Sequence, residues 1–109
     1  MISKNELTKI VGKENVSDAK SVLLKYSSDH SLVPPGAPDF VVCPTSSEQV
    51  SEVLNLADKS NVPVVPASSQ VHFNGGTIPR QGGILMDLSR MNKILEIDED
   101  LKKVRIEAG

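Results

Sequence analysis

Residues 40–65 read FVVCPTSSEQVSEVLNLADKSNVPVV, and this stretch decides the fold. Phe40 to Cys43 form a short apolar run closed by proline, which predicts a buried strand. Two overlapping capping boxes, starting at Thr45 and Ser46, precede apolar residues at helical spacing and predict a helix to about residue 60. A second closed apolar run, residues 62–65, predicts another strand. This order of elements predicts a right-handed βαβ unit with parallel strands.

The residues before this unit predict two short helices and a connection. A capping box at Ser3 precedes an apolar helical face, and Gly12 is placed to end that helix. A second helix is predicted from Ser17 to Tyr26, because apolar residues recur there at three- and four-residue spacings. The proline-rich stretch 34–38 excludes regular structure. Residues 1–37 are therefore expected to form a helical segment and a linker.

Three further strands are predicted after the βαβ unit. Residues 84–88 read ILMDL and predict a buried strand. Residues 94–97 and 104–107 alternate apolar and polar positions, which predicts an antiparallel hairpin with one solvated face. The predicted fold is α+β: N-terminal helices, a βαβ unit with parallel strands, then a strand and an antiparallel hairpin. No closing helix follows, so the exposed sheet edge could pair with a second copy of the chain.

Composition excludes several classes of protein. The 109 residues carry 12 Lys+Arg and 14 Asp+Glu, a net charge of −2, so there is no basic surface for nucleic acid. No apolar run is long enough to span a bilayer. Cys43 is the only cysteine, which excludes an internal disulfide and a multi-cysteine metal site, and neither histidine has a second ligand at metal-binding spacing. We expect a cytoplasmic protein without a metal site.

The segment from residue 67 to residue 83 is the best candidate for a binding site. It follows a predicted parallel strand, lacks periodicity and is long for a connection in a small domain. Its small and hydrogen-bonding residues suit a nest of backbone N–H groups that binds an anion. A polar surface loop without such a role is the alternative interpretation, and for His72 the alternatives are a phosphate donor, a covalent flavin link or an exposed histidine.

No complete catalytic site is visible in the sequence. Cys43 ends an apolar strand and is interpreted as a small core residue rather than a nucleophile. The acidic residues 98–100 lie in a predicted solvated turn, without the apolar surroundings that would tune a general acid. His30 is interpreted as solvated or locally capping. We therefore assign no catalytic residue.

Several blocks, in unbroken order, carry a resemblance to a known family. They are PDFVVCPTSSEQV at 38–50, VPVVP at 62–66, GGILMDLSRMNKI at 82–94 and VRIEAG at 104–109, preceded by YSSD at 26–29. Together they resemble the start of the FAD-binding domain of the vanillyl-alcohol oxidase / p-cresol methylhydroxylase superfamily, near the glycolate-oxidase and D-lactate-dehydrogenase type. The resemblance implies that residues 38–109 are the N-terminal, incomplete part of such a domain.

The resemblance also implies a cofactor and its contacts. In the family, the loop after the second strand typically reads Arg-Gly-Gly-Gly-Thr-Ser after the proline, and its backbone amides hold the FAD pyrophosphate. The equivalent here is ASSQVH at 67–72, followed by FNGG at 73–76. By this likeness FAD is contacted by Pro66, Ala67, Ser68, Ser69, Gln70, Val71, His72, Asn74, Gly75 and Gly76, with Pro44 to Ser46 near the adenylate half.

Two functions remain open from the sequence. The first is the FAD-binding portion of a flavin-dependent oxidoreductase for a 2-hydroxy acid or similar small substrate, inactive alone and completed by the rest of the flavoenzyme or by a second subunit. The second is a non-catalytic half-domain that has lost FAD and serves as an interaction or assembly module. The replaced glycines of the loop separate the two, because a Cβ hinders both positive φ and close backbone approach.

Overall fold

The computed structural model describes residues 1–71 and 73–109, which form a four-stranded mixed sheet, a separate hairpin and three α-helices. A 3₁₀ turn, Lys13–Asn15, follows the first helix. In chain order the helices and strands are α1 Lys4–Val11, β1 Val16–Ser17, α2 Lys20–Lys25, β2 Phe40–Val42, α3 Ser47–Lys59, β3 Val64–Ala67, β4 Ile84–Asp87, β5 Ile94–Asp98 and β6 Lys103–Ile106. The predicted α+β fold, with a parallel sheet and an antiparallel hairpin, is confirmed.

Both long helices begin at the predicted caps. The Ser3 side chain accepts from the Glu6 N–H while the Glu6 carboxylate accepts from the Ser3 N–H, which is a complete capping box for α1. Gly12 ends α1 with φ +92°, a conformation that disfavours side chains. For α3 the structure selects the register that starts at Ser46, whose hydroxyl accepts from the Gln49 N–H.

The sheet has the order β1-β2-β4-β3, with β2, β4 and β3 parallel. The predicted βαβ unit is present, but its two strands are not neighbours, because β4 lies between them. Val41 and Val65 both pair with Leu85 of β4. Strands β2 and β3 therefore meet only through β4, and their carboxyl ends lie at the same edge of the sheet.

The predicted second helix is wrong at its start. Val16 and Ser17 form β1, which pairs antiparallel with β2 through Val16 and Val42. The Cys43 N–H also donates to the Asn15 carbonyl, at 2.9 Å. This backbone pairing is non-local, so local apolar spacing cannot reveal it, and it confines α2 to Lys20–Lys25.

The sheet divides the buried side chains into two clusters. Ile84 and Met86 of β4 pack with Val42 of β2 and with residues of α1 and α3. Leu85, the residue between them, packs with Val41 and Ala67 on the other face, because successive strand side chains point in opposite directions. Only half-buried residues, among them α2 side chains, cover this second cluster.

The hairpin is solvated on both faces, although alternation predicted one solvated face. Ile94 pairs with Ile106 and Ile97 with Val104, so these four side chains share a face, yet they are 58–67% exposed. The other face carries the charged strand residues, including the Glu96–Arg105 pair.

None of the helices within residues 1–71 and 73–109 has the length and apolar character that a membrane span requires.

Candidate functional site

The candidate site lies where β3 and β4 end. Ala67 pairs with Asp87 at the last register position, and the Ala67 carbonyl accepts from the Leu88 N–H at 2.8 Å. An opening of about 250 Å³ lies beside these strand ends. It is lined by Pro66, Ala67, Ser68, Thr77, Leu88 and Ala108. The position agrees with the rule that ligands of parallel sheets bind beyond the carboxyl ends of the strands.

Three successive backbone N–H groups after β3 are available to a ligand. Within the part of the chain that the structure describes, the N–H groups of Ser68, Ser69 and Gln70 donate to no acceptor. Ser68 and Ser69 are exposed, and Gln70 has φ +59°, in the left-handed region. Consecutive free N–H groups that end in a left-handed residue suit an anion such as a phosphate.

The second predicted stretch of the loop is engaged within the chain. The Gly75 N–H donates to the Asp29 carboxylate at 2.8 Å, and the Gly76 N–H donates to Asn74 Oδ1 at 3.0 Å. Gly75 has φ +75°. Of residues 68–70 and 74–76, only Ser68 lines the opening. Asn74 to Gly76 therefore shape the loop, whereas Ser68 to Gln70 present donors.

The remaining predicted contacts differ in their surroundings. Val71 is 65% exposed, and His72 lies outside the described residues. The Ser46 hydroxyl caps α3, and both the N–H and the hydroxyl of Thr45 donate to Gln49 Oε1. The polar groups of Thr45 and Ser46 are thus occupied in holding the start of α3.

A buried carboxylate stands next to the opening. Asp87 is 8% exposed; one of its oxygens accepts from the Tyr26 hydroxyl at 2.6 Å and the other from the Ser89 N–H at 2.9 Å. Burial, together with this hydrogen bond, raises the pKa of Tyr26 well above its usual value. Burial and then the negative charge of Asp87 raise the pKa of the Cys43 thiol, so Cys43 stays protonated at neutral pH.

The Tyr26 phenol gives the fold a pH dependence on the alkaline side. The folded chain holds the phenol proton above the usual pKa of 10.0, whereas the unfolded chain releases it. We therefore expect the contribution of Tyr26 to the free energy of unfolding to be fully present below about pH 9 and to fall as pH rises above it, through about pH 11 and beyond. Urea titrations across this range should show a shallower fall for Tyr26→Phe. Because Cys43 titrates in both proteins, equal slopes would contradict the assignment to Tyr26.

Sequence reasoning missed several residues around the site. Leu88 and Ala108 line the opening; Asp29 holds the loop backbone from 46 positions away, and Asp87 holds the turn that directly follows it. The sequence marks residues 26–29 only through the family resemblance, and nothing in their composition indicates the contact with Gly75. No cluster of three His, Cys, Asp or Glu residues suited to a metal occurs among the described residues.

Comparison with known proteins agrees with the geometry. The model of a family described as FAD binding domain matches residues 38–109. The chain is 34% identical over 106 residues to glycolate oxidase subunit GlcD of Bacillus subtilis, and the alignment covers 97% of this chain and 23% of that protein. It is 33% identical to the mitochondrial D-lactate dehydrogenase [cytochrome] 1 of Saccharomyces cerevisiae, with an alignment that covers 95% of this chain and 19% of that protein. The chain therefore spans about a fifth of the length of these relatives.

Solved structures share the fold. A p-cresol methylhydroxylase with bound substrate matches with a TM-score of 0.77 and 28% identity, over 86% of this chain and 19% of the other. The 4-ethylphenol oxidase of Gulosibacter chungangensis matches with a TM-score of 0.79 and 27% identity, over 89% and 20%. The chain thus belongs to the FAD binding domain family of the p-cresol methylhydroxylase type, and its cofactor is FAD.

Proposed function

We propose that the chain is the cofactor-binding part of a flavin-dependent oxidoreductase, and that the loop after β3 holds the FAD diphosphate. The observation that carries this proposal is the row of free N–H groups at Ser68, Ser69 and Gln70, which begins at the opening lined by Ser68. Backbone donors of this kind suit diphosphate oxygens. In this proposal Pro66, Ala67, Val71 and His72 flank the donors, and Asn74 to Gly76 set the shape of the loop.

The proposed substrate class is a 2-hydroxy acid. Relatives are named for glycolate, D-lactate and D-2-hydroxyglutarate, which share a hydroxyl on the carbon next to a carboxylate. The flavin, when bound, accepts a hydride, that is, two electrons and a proton, from that carbon. The residues of this chain bind and orient the cofactor, and we place the groups that activate the substrate in the remainder of the flavoenzyme or in a second subunit.

The test is a titration of the chain with FAD, in which the change in flavin fluorescence measures binding. Ser69→Asp places a negative charge beside the free N–H groups, so it should weaken FAD at least about tenfold, as expected for like charges a few ångströms apart near a surface. Ser51→Asp is the matched control, because Ser51 is exposed on α3 and should leave the affinity unchanged. Equal loss in both variants would contradict a diphosphate site at Ser69.

Gln70→Gly should act in the opposite direction. It removes a Cβ at φ +59° and opens the backbone to the ligand, so FAD affinity should rise. Gln81→Gly is the control, since Gln81 lies in the same loop without a left-handed φ. If neither the wild-type chain nor Gln70→Gly changes flavin fluorescence, these residues do not hold the diphosphate by themselves, and the proposed site is contradicted.

A further inference from the structure

The segment 26–36, called the strap below, lies against the site loop although it precedes the residues matched by the family model. The Gly36 N–H donates to the Ser27 carbonyl at 2.9 Å, which closes the strap into a loop of its own. Tyr26 and Asp29, from the first turn of the strap, reach the two sides of the site. The strap is therefore a folded element rather than a free connection.

Asp29 fixes the middle of the site loop. One carboxylate oxygen accepts from the Ser31 N–H at 2.7 Å within the strap, and the other accepts from the Gly75 N–H at 2.8 Å. A carboxylate acceptor makes a stronger hydrogen bond than a neutral oxygen. A Cβ at Gly75 would lie 2.5 Å from Val33 Cγ2, so the strap and the loop are in direct contact there.

The strap touches the loop on both sides of this bond. The His30 and Phe73 rings stack at 5.7 Å between centroids, ahead of Gly75. After it, a Cβ at Gly36 would lie 2.7 Å from the Arg80 Cα, which shows how closely the two backbones approach. The loop is held from outside, by side chains and backbone that do not belong to it.

Tyr26 holds the other wall of the site. Its hydroxyl donates to Asp87, whose second oxygen accepts from the Ser89 N–H at the turn after β4. Leu88, between these two residues, lines the opening. The strap thus reaches both the loop after β3 and the turn after β4.

We propose that the strap is a positioning element for the cofactor diphosphate, in which Asp29 sets the loop through Gly75 and Tyr26 sets the turn through Asp87. The proposal rests on the proposed function for the identity of the ligand. This external support acts on a loop that carries Ser68, Ser69 and Gln70 where the family it resembles typically has glycines. Neither Asp29 nor Tyr26 lines the opening, so both are positioning residues.

The experiment compares Asp29→Ala and Asp29→Asn with wild type, using amide exchange with water by NMR and titration with ADP and adenosine. In Asp29→Ala the Gly75 amide should exchange at least about tenfold faster and ADP should bind about tenfold more weakly, the effect expected for losing a charged hydrogen bond. Adenosine affinity should not change. Asp29→Asn keeps an acceptor oxygen, so its Gly75 exchange rate and its ADP affinity should lie between those of wild type and Asp29→Ala.

Asp18→Asn is the matched control, because it removes an equal charge from a carboxylate that pairs with Lys4. A protected Leu85 amide in every variant reports an intact central strand. Unchanged Gly75 exchange in Asp29→Ala, or faster exchange with unchanged ADP affinity, overturns the proposal that the strap positions the site for the diphosphate. If the wild-type chain binds neither FAD nor ADP while Gly75 exchange still accelerates, the proposed function fails and the role of the strap in holding the loop stands.

Discussion

Replacing Gly83 by alanine is expected to lower the free energy of unfolding by about 2–5 kcal/mol, the sum of the left-handed and overpacking costs. Gly83 has φ +82°, and a Cβ there would lie 2.3 Å from the Pro63 carbonyl oxygen and 2.7 Å from Pro63 Cγ. These are backbone and ring atoms that cannot rotate away. The loss is large against the total of about 5–15 kcal/mol for a typical domain.

Gly83 cannot relax by moving, because it is bonded on both sides. Its N–H donates to the Asp39 carboxylate at 2.7 Å, and its carbonyl accepts from the Asp39 and Phe40 N–H groups at 2.8 and 3.2 Å. The next residue, Ile84, donates to the Pro63 carbonyl at 2.9 Å. The position is the point at which β4 enters between β2 and β3.

Urea unfolding followed by circular dichroism measures this effect. Gly76→Ala is the matched control, since Gly76 has no left-handed φ and its Cβ would meet only the Asn74 side chain, at 3.2 Å. That variant should stay within about 0.5 kcal/mol of wild type, as most surface changes do. Similar midpoints for the two variants would contradict this expectation and show that a local backbone movement relieves the clash at Gly83.

Leu85→Ala should cost about 3 kcal/mol or more, the usual loss for a fully buried leucine that leaves a cavity. Leu85 is 0% exposed at the centre of β4 and packs with Val41 and Ala67. Helix α2 has no buried residue and packs on this cluster through half-buried Val22 and Leu23. We therefore expect α2 to unfold before the sheet does.

Tyr26 provides the measurement for this second variant. It is the only tyrosine and the chain has no tryptophan, so intrinsic fluorescence reports the surroundings of Tyr26 alone. In Leu85→Ala the fluorescence transition in urea should precede the circular dichroism transition. Leu95→Ala, at a side chain that is 54% exposed, should leave both transitions in place. Coincident transitions in Leu85→Ala would mean that α2 and the sheet unfold together.

Local pattern predicted most elements of this fold but not their neighbours. The capping residues of α1 and α3 and the apolar runs of β2, β3 and β4 act over a few residues, so they can be read along the chain. Strand β1 has two residues and exists only through pairing with β2. The insertion of β4 between β2 and β3 also depends on residues far apart, and a buried apolar run does not identify its partners.

The site was predicted to a similar depth. The length and composition of residues 67–83 pointed to the loop, and family likeness pointed to the cofactor. Two contacts hold the site: Asp29 with Gly75 of the loop, 46 positions apart, and Tyr26 with Asp87 before the turn, 61 positions apart. No short-range rule connects such pairs, so the strap could be found only once the fold brought them together.

The central position of β4 has a consequence for synthesis of the chain. Because β2 and β3 are both made before β4 and are joined to each other only through it, the three parallel strands cannot join until Asp87 has left the ribosomal exit tunnel. Until then a gap one strand wide separates them, with unpaired edges on both sides. Nascent chains stalled before residue 84 should therefore remain open to chaperones, and chains stalled well after it should resist protease.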